Sequence, residues 1–233
     1  MNMLADLREA FLHLAFPHLC EGCGSDILDR SHDLCAACLA SMPVTDFEHF
    51  AANPIEKLFW GRLPLACATA HCYFTKDSLM QRLMHAFKYR NGRNLGFYLG
   101  TIMGEALAQT DRFSSVDALV PLPLHPSRER LRGYNQALVL CEGMAGPLQK
   151  PVLKDAVIRN RRTESQTKKG RVARWQNMDG RFEVPVAARV EGRHLLLVDD
   201  VVTTGATLEA CGRALLASGT GRLSIATLCY ASG

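Results

Sequence analysis

Hydrophobic positions follow two rhythms along this chain, and their alternation predicts the architecture. Leu195–Val198 (LLLV) and Ala118–Leu122 (ALVPL) are short, unbroken apolar runs, the pattern of strands covered on both faces in a parallel sheet. Ala66–Phe74 and Leu223–Leu228 read as further strands, with short ones at Ala156–Ile158 and Phe182–Val184. Between them the period changes. Asp77–Arg90 places Leu79, Leu83, Met84 and Phe87 at helical spacing, and Leu95–Gln109, Tyr134–Met144 and Leu208–Leu216 also read as helices. This alternation predicts an α/β domain over residues 65–233, a parallel sheet flanked by helices. Three pieces precede it. Residues 1–17 form an amphipathic helix with Leu4, Leu7, Phe11, Leu12 and Leu14 mostly on one face; 18–44 are a small Cys- and Gly-rich module; 45–64, with Pro54, Gly61 and Pro64, read as a connector.

Ligands of parallel α/β sheets collect at the carboxyl ends of the strands, which directs attention to the residues after Val198 and Val120. After Val198 come Asp199 and Asp200, two valines, then Thr203-Thr204-Gly205-Ala206-Thr207 at a helix start. Backbone N–H groups at a helix N-terminus attract phosphate, a glycine allows close approach, and threonine hydroxyls add donors. Two adjacent carboxylates cannot hold that phosphate. They can accept hydrogen bonds from the vicinal hydroxyls of a ribose, and through those hydroxyls help to hold magnesium. A helix cap would need only one acid. After the strand at 118–122, Arg128, Arg130 and Arg132 alternate before Gly133. Planar guanidinium forks suit a pyrophosphate, although a solvated turn would show the same pattern. Lys88, at a helix end, is a further cation for the same group.

Composition narrows the class. With 233 residues, 48% hydrophobic and 21% charged, the chain is that of a globular protein, not a disordered or fibrous one. No apolar run approaches the ~20 residues of a membrane span. The N-terminus carries Asp6, Arg8 and Glu9 and no small-residue cleavage site, so no export signal is read and a cytoplasmic location is expected. A net charge of +4 is too mild to establish a nucleic-acid partner. Its distribution says more: Arg159, Arg161, Arg162, Lys168, Lys169, Arg171 and Arg174 crowd a stretch whose single acid is Glu164. That stretch reads as a mobile basic loop closing over an anionic substrate, as a contact for single-stranded DNA, or as a solvated loop.

Nine cysteines in a reducing compartment point to metal ligation before disulfides. Cys20-x-x-Cys23 and Cys35-x-x-Cys38 form two pairs suited to enclose one structural zinc. A redox dithiol pair and an iron–sulfur cluster are the alternatives. The module holds few basic residues, so docking of a partner protein is at least as well supported as binding of a phosphate backbone.

The segment Leu195–Thr207 resembles the phosphoribosyl pyrophosphate motif of type I phosphoribosyltransferases, an apolar strand followed by two acids and TTGAT. Lys88-Tyr89-Arg90, PLHPSRERLRGYNQA, RNRRTESQTKKGR and VDDVVTTGAT occur in this order, after a short cysteine module, in ComF-family proteins, so the resemblance spans nearly the whole chain. The large domain is also similar to the transferase half of glutamine phosphoribosyl pyrophosphate amidotransferases, without their glutaminase domain. The resemblance implies binding of phosphoribosyl pyrophosphate with magnesium. In this reading Asp199 and Asp200 are catalytic, Thr203–Thr207 hold the 5-phosphate, and Lys88, Arg128, Arg130 and Arg132 face the pyrophosphate. It further implies a role in natural competence and the handling of imported single-stranded DNA. The chain would act there as a transferase on an unidentified acceptor, or as a non-catalytic adaptor docking a competence helicase or DNA-loading protein.

Overall fold

The computed structural model describes residues 19–26, 33–89, 92–159 and 182–231. Four strands, β1 (Ala68–Tyr73), β2 (Ala118–Pro121), β5 (His194–Val202) and β6 (Arg222–Tyr230), form a parallel sheet in the order β1-β6-β5-β2. The register aligns Val120 with Leu197 and Leu197 with Ile225, and all three are fully buried. That burial on both faces is why these runs carry no polar alternation. The two-residue strands β3 (Ile158–Arg159) and β4 (Phe182–Glu183) pair antiparallel beside it.

Helices cover each face. On one, α3 (Leu79–Tyr89), α4 (Arg93–Ala108) and α6 (Gln136–Leu148) bury Leu83, Phe87, Leu99, Met103, Leu140 and Met144. The cysteine module joins this same core through Cys20, Leu34, Cys38 and Met42. A short helix within the module, α1 (Ala36–Ala40), carries Cys38. On the other face, α2 (Pro54–Phe59) and α7 (Ala206–Ala217) bury Ile55, Phe59, Leu208, Cys211 and Leu215.

Three local readings change. The strand before the acidic pair does not stop at Val198; β5 runs on through Asp199–Val202, because Val201 and Val202 continue the pairing with Cys229 and Tyr230. Residues 126–132, read as an arginine turn, form the helix α5 (Pro126–Arg132). Pro126 starts it with a pre-set φ, the His125 ring accepts from the Ser127 N–H, and Gly133 ends it at φ +81°. The stretch 45–64 is more than a connector: Phe47, Ile55, Phe59 and Leu63 are core residues, and Asn53 caps α2 by accepting from the N–H groups of Ile55 and Glu56.

Helices α4 and α6 cross with almost no side chain between them. A Cβ on Gly100 would collide with the Leu140 carbonyl of α6, and one on Gly143 with the Phe97 carbonyl of α4. Both obstacles are main chain, so neither can swing aside. Gly143→Ala is therefore expected to lower stability by about 1–3 kcal/mol. A urea midpoint equal to wild type would show that the two helices part freely.

Two buried histidines make stability depend on pH. Burial lowers the pKa of His71, and burial together with the Arg222 charge lowers that of His194, each from an ordinary 6.5. The unfolded chain then takes up protons at a higher pH than the folded one. Stability is full above pH 6.5 and falls as the pH drops through 6.5 towards the folded values. His194 accepts or donates through both ring nitrogens, to Ser115 at 3.0 Å and Ser224 at 2.8 Å, whereas buried His71 Nε2 has no hydrogen-bond partner among the described residues. Urea midpoints should fall between about pH 7.5 and about pH 5.5, and His71→Gln should flatten that dependence; a midpoint unchanged by pH would contradict it.

Candidate functional site

The carboxyl ends of β5 and β2 open into a cavity of about 540 Å³. Its lining brings together Lys88 from α3, Arg128 and Arg132 from α5, Asp199 and Asp200 from β5, and Thr207 from the first turn of α7. His125, Asn135, Gln136 and Arg159 complete its polar wall. A larger hollow of about 610 Å³ lies beside the cysteine module, but it gathers one acid, Glu21, and one cation, Arg82, rather than a set of opposed charges.

The acidic pair sits at the floor. Asp199 Oδ1 accepts from the Asp200 N–H at 2.8 Å, and Lys88 Nζ lies 3.0 Å from Asp200 Oδ2 in an ion pair. That contact lacks hydrogen-bond geometry, and buried Asp200 Oδ2 has no hydrogen-bond partner among the described residues. Burial, and then the charge of Asp200, push the Asp199 carboxyl well above the usual carboxylate range. Two adjacent carboxyls thus line the cavity, one of them paired with the Lys88 ammonium, across from the guanidinium wall.

That wall is built by α5. Arg128 and Arg132 are one helical turn apart and share a face, whereas Arg130 projects from another face and does not line the cavity. Arg132 is oriented by donating to Gln136 Oε1 at 2.8 Å and by lying over the Tyr89 ring, 5.9 Å from its centroid. Asn135 ties the wall to the sheet: its side-chain amide donates to the Leu122 carbonyl at 3.0 Å and its oxygen caps α6 through the Ala137 N–H. The turn Thr203–Gly205 links β5 to α7, with Gly205 left-handed at φ +71° and Thr203, Thr204, Ala206 and Thr207 exposed. Arg62 and Phe59 contact this turn from the stretch read as a connector, a link with no signal in the local motif.

The four module cysteines converge. Their sulfurs all lie within 4.8 Å of one another, and Cys23 and Cys35 are 3.7 Å apart. A tetrahedral zinc with Zn–S bonds of ~2.3 Å separates its sulfurs by ~3.8 Å, so this set fits a closed four-thiolate metal site. Burial opposes ionisation of Cys20, yet N–H groups of Cys35, Cys23 and Gly22 hold its thiol down to about 6. The module is fastened to the large domain by α3, where Arg82 Nε donates to the Gly22 carbonyl at 2.9 Å. The N-terminal helix at 1–17 and the basic-loop residues Arg161, Arg162, Lys168, Lys169, Arg171 and Arg174 lie outside the described residues. No helix among the described residues is long and apolar enough to cross a membrane.

Comparison with known proteins adds to this geometry. Residues 135–233 match the phosphoribosyl transferase domain family. Competence protein F of Haemophilus influenzae is 28% identical over 206 residues, covering 88% of this chain and 86% of that protein. DNA utilization protein YhgH of Escherichia coli K12 is 27% identical over 214 residues, with coverage of 91% and 83%. Competence protein ComFC of Bacillus subtilis is 30% identical over 220 residues, again with coverage of 91% and 83%. Among solved structures, the glutamine phosphoribosylpyrophosphate amidotransferase of B. subtilis matches at 19% identity with a TM-score of 0.42. That match covers 57% of this chain and 26% of the amidotransferase chain. With 30% identity to ComFC sustained over 91% of its length, the chain belongs to the ComF family.

Proposed function

We propose that the cavity at the end of β5 binds phosphoribosyl pyrophosphate with magnesium and transfers its 5-phosphoribosyl group to an acceptor. One observation carries the reading. A single cavity joins the acidic pair, a threonine of a helix-start turn, and the cations Lys88, Arg128 and Arg132, which match the ribose, 5-phosphate and pyrophosphate of one donor. Thr203–Thr207 would hold the 5-phosphate through main-chain N–H groups and hydroxyls at the start of α7. Asp199 and Asp200 would accept from the two ribose hydroxyls, and Arg128 and Arg132 would grip the pyrophosphate. Magnesium would neutralise part of the donor's charge, held by donor oxygens near the carboxylates. In the transfer, the bond from C1 of the ribose to the pyrophosphate oxygen breaks, the leaving group keeps the electron pair, and the acceptor bonds to C1. The carboxylates offset the positive charge that develops on the ring, and the arginines offset the negative charge on the leaving group.

The process served is proposed to be competence or DNA utilization, as the relatives' names suggest, with imported single-stranded DNA as the material that the family resemblance implies. Four thiols that close one metal site leave no position open for chemistry, so the module is read as a structural zinc knuckle. Its position at the start of α3, away from the residues that line the cavity, leaves room for a second reading, in which the knuckle docks a helicase or DNA-loading protein and the cavity serves as a nucleotide sensor. Calorimetric titration with phosphoribosyl pyrophosphate and magnesium, beside an assay for pyrophosphate release over candidate acceptors, separates the two. Binding with release supports the transferase and binding without release the adaptor. No binding removes both.

A further inference from the structure

We infer that Arg62 is a positioning residue for the 5-phosphate turn, acting by fixing the turn's main chain and by neutralising the one acid in the first turn of α7. The inference rests on the donor-binding reading above and extends it to a residue outside the motif. Arg62 lies just beyond α2, 142 positions before the turn it touches. One guanidinium nitrogen donates to the Thr204 carbonyl at 2.9 Å and to the Leu58 carbonyl at 3.0 Å. The Nε donates to Glu209 at 2.9 Å, and the Glu209 N–H donates to the Gly205 carbonyl at 2.8 Å. These bonds close a ring through Thr204, Gly205 and Glu209, so the turn cannot shift without breaking a charge-assisted bond. Phe59 completes the mould: a Cβ on left-handed Gly205 would meet its ring at 2.7 Å.

The electrostatic half follows from where Glu209 stands. It is the acid in the first turn of α7, the helix end that would receive a phosphate dianion. Burial opposes its ionisation, but hydrogen bonds from Arg213 and Arg62 outweigh that and keep it a carboxylate. An unneutralised carboxylate there would repel the phosphate. Arg62 cancels it from one side and Arg213 from the other, and Arg213 also donates to the Arg62 carbonyl at 2.7 Å.

Ribose 5-phosphate reports on the turn, and inorganic pyrophosphate on the arginine wall. In calorimetric titrations Arg62→Met should weaken ribose 5-phosphate binding by about tenfold to a hundredfold and leave pyrophosphate binding unchanged. Arg62→Lys keeps a charge beside Glu209 but cannot serve both acceptors, so it should show a smaller loss and serves if the methionine variant folds poorly. Adding Glu209→Gln to Arg62→Met should recover part of the affinity. Wild-type affinity in Arg62→Met, an equal loss for both ligands, or no recovery in the double variant would overturn the inference. If the wild-type chain itself binds neither ligand, the donor-site reading fails first and takes this inference with it.

Discussion

Replacing Asp199 and Asp200 together by asparagine is expected to weaken binding of phosphoribosyl pyrophosphate by at least about a hundredfold, because each lost charged acceptor is worth about 1.5–3 kcal/mol. The fold should survive, and the Asp199 substitution alone should raise stability. Burial and the neighbouring carboxylate push the Asp199 pKa up, so the folded chain holds its proton to a higher pH than the unfolded one. Between the ordinary value of 3.8 and the raised one, stability therefore falls as the pH rises, and the cost persists above that window. An amide removes the ionisation and with it the cost. Asp200→Asn behaves differently, since it takes away the partner of Lys88 and leaves an ammonium facing the arginine wall. Thermal melts read beside titrations would thus show opposite signs for Asp199→Asn, with affinity down and melting temperature up. Donor binding undiminished in the double variant would rule out the carboxylates as the ribose acceptors.

The signals for this site were unequally visible in the chain. VDDVVTTGAT is contiguous, and a run of residues gathered at one strand end is open to direct reading. Even so, the apolar run alone ends the strand at Val198, four residues early. Carboxylates interrupt an apolar run, and only the partner strand, with Cys229 and Tyr230 opposite Val201 and Val202, shows that the pairing continues. In PSRERLR, Pro126 and Gly133 are start and stop signals for a helix, but seven residues with none buried leave no apolar stripe to mark it. That helix decides which arginines line the cavity, because a turn presents Arg128, Arg130 and Arg132 alike and a helix separates Arg130 from the other two. Arg62 was beyond reach altogether. The role inferred for it depends on α2 packing beneath Gly205, a contact across more than half the chain that no local spacing encodes.

Removing the zinc proposed for the four-cysteine cluster is expected to have the second large effect, and the way the knuckle is attached predicts how far it travels. Structural zinc contributes about 10–16 kcal/mol of binding free energy in small peptides, more than a module of this size gains from its apolar core. Purified protein should carry one zinc per chain, and cobalt substitution should give the absorption of a tetrahedral four-thiolate centre. Cys23→Ser tests the set with least disturbance, because Cys23 is exposed whereas Cys20 and Cys38 are buried. It should lose the zinc and melt the knuckle; zinc retained in this variant, or iron in its place, would contradict a four-thiolate zinc site. The damage should then reach α3. A Cβ on Gly22 would lie 2.7 Å from Cys38 Sγ and 2.8 Å from Leu79, so the knuckle main chain rests directly on the sulfur cluster and the start of that helix. Arg82 loses its acceptor at Gly22 when the knuckle opens, while at the far end of the same helix Lys88 keeps its ion pair with Asp200. The Tyr134 hydroxyl also holds the Phe87 carbonyl there. Donor affinity should therefore fall only modestly in Cys23→Ser, even as the melting temperature drops. A collapse of donor binding equal to that of the double aspartate variant would mean that the knuckle, through α3, sets the position of Lys88 outright.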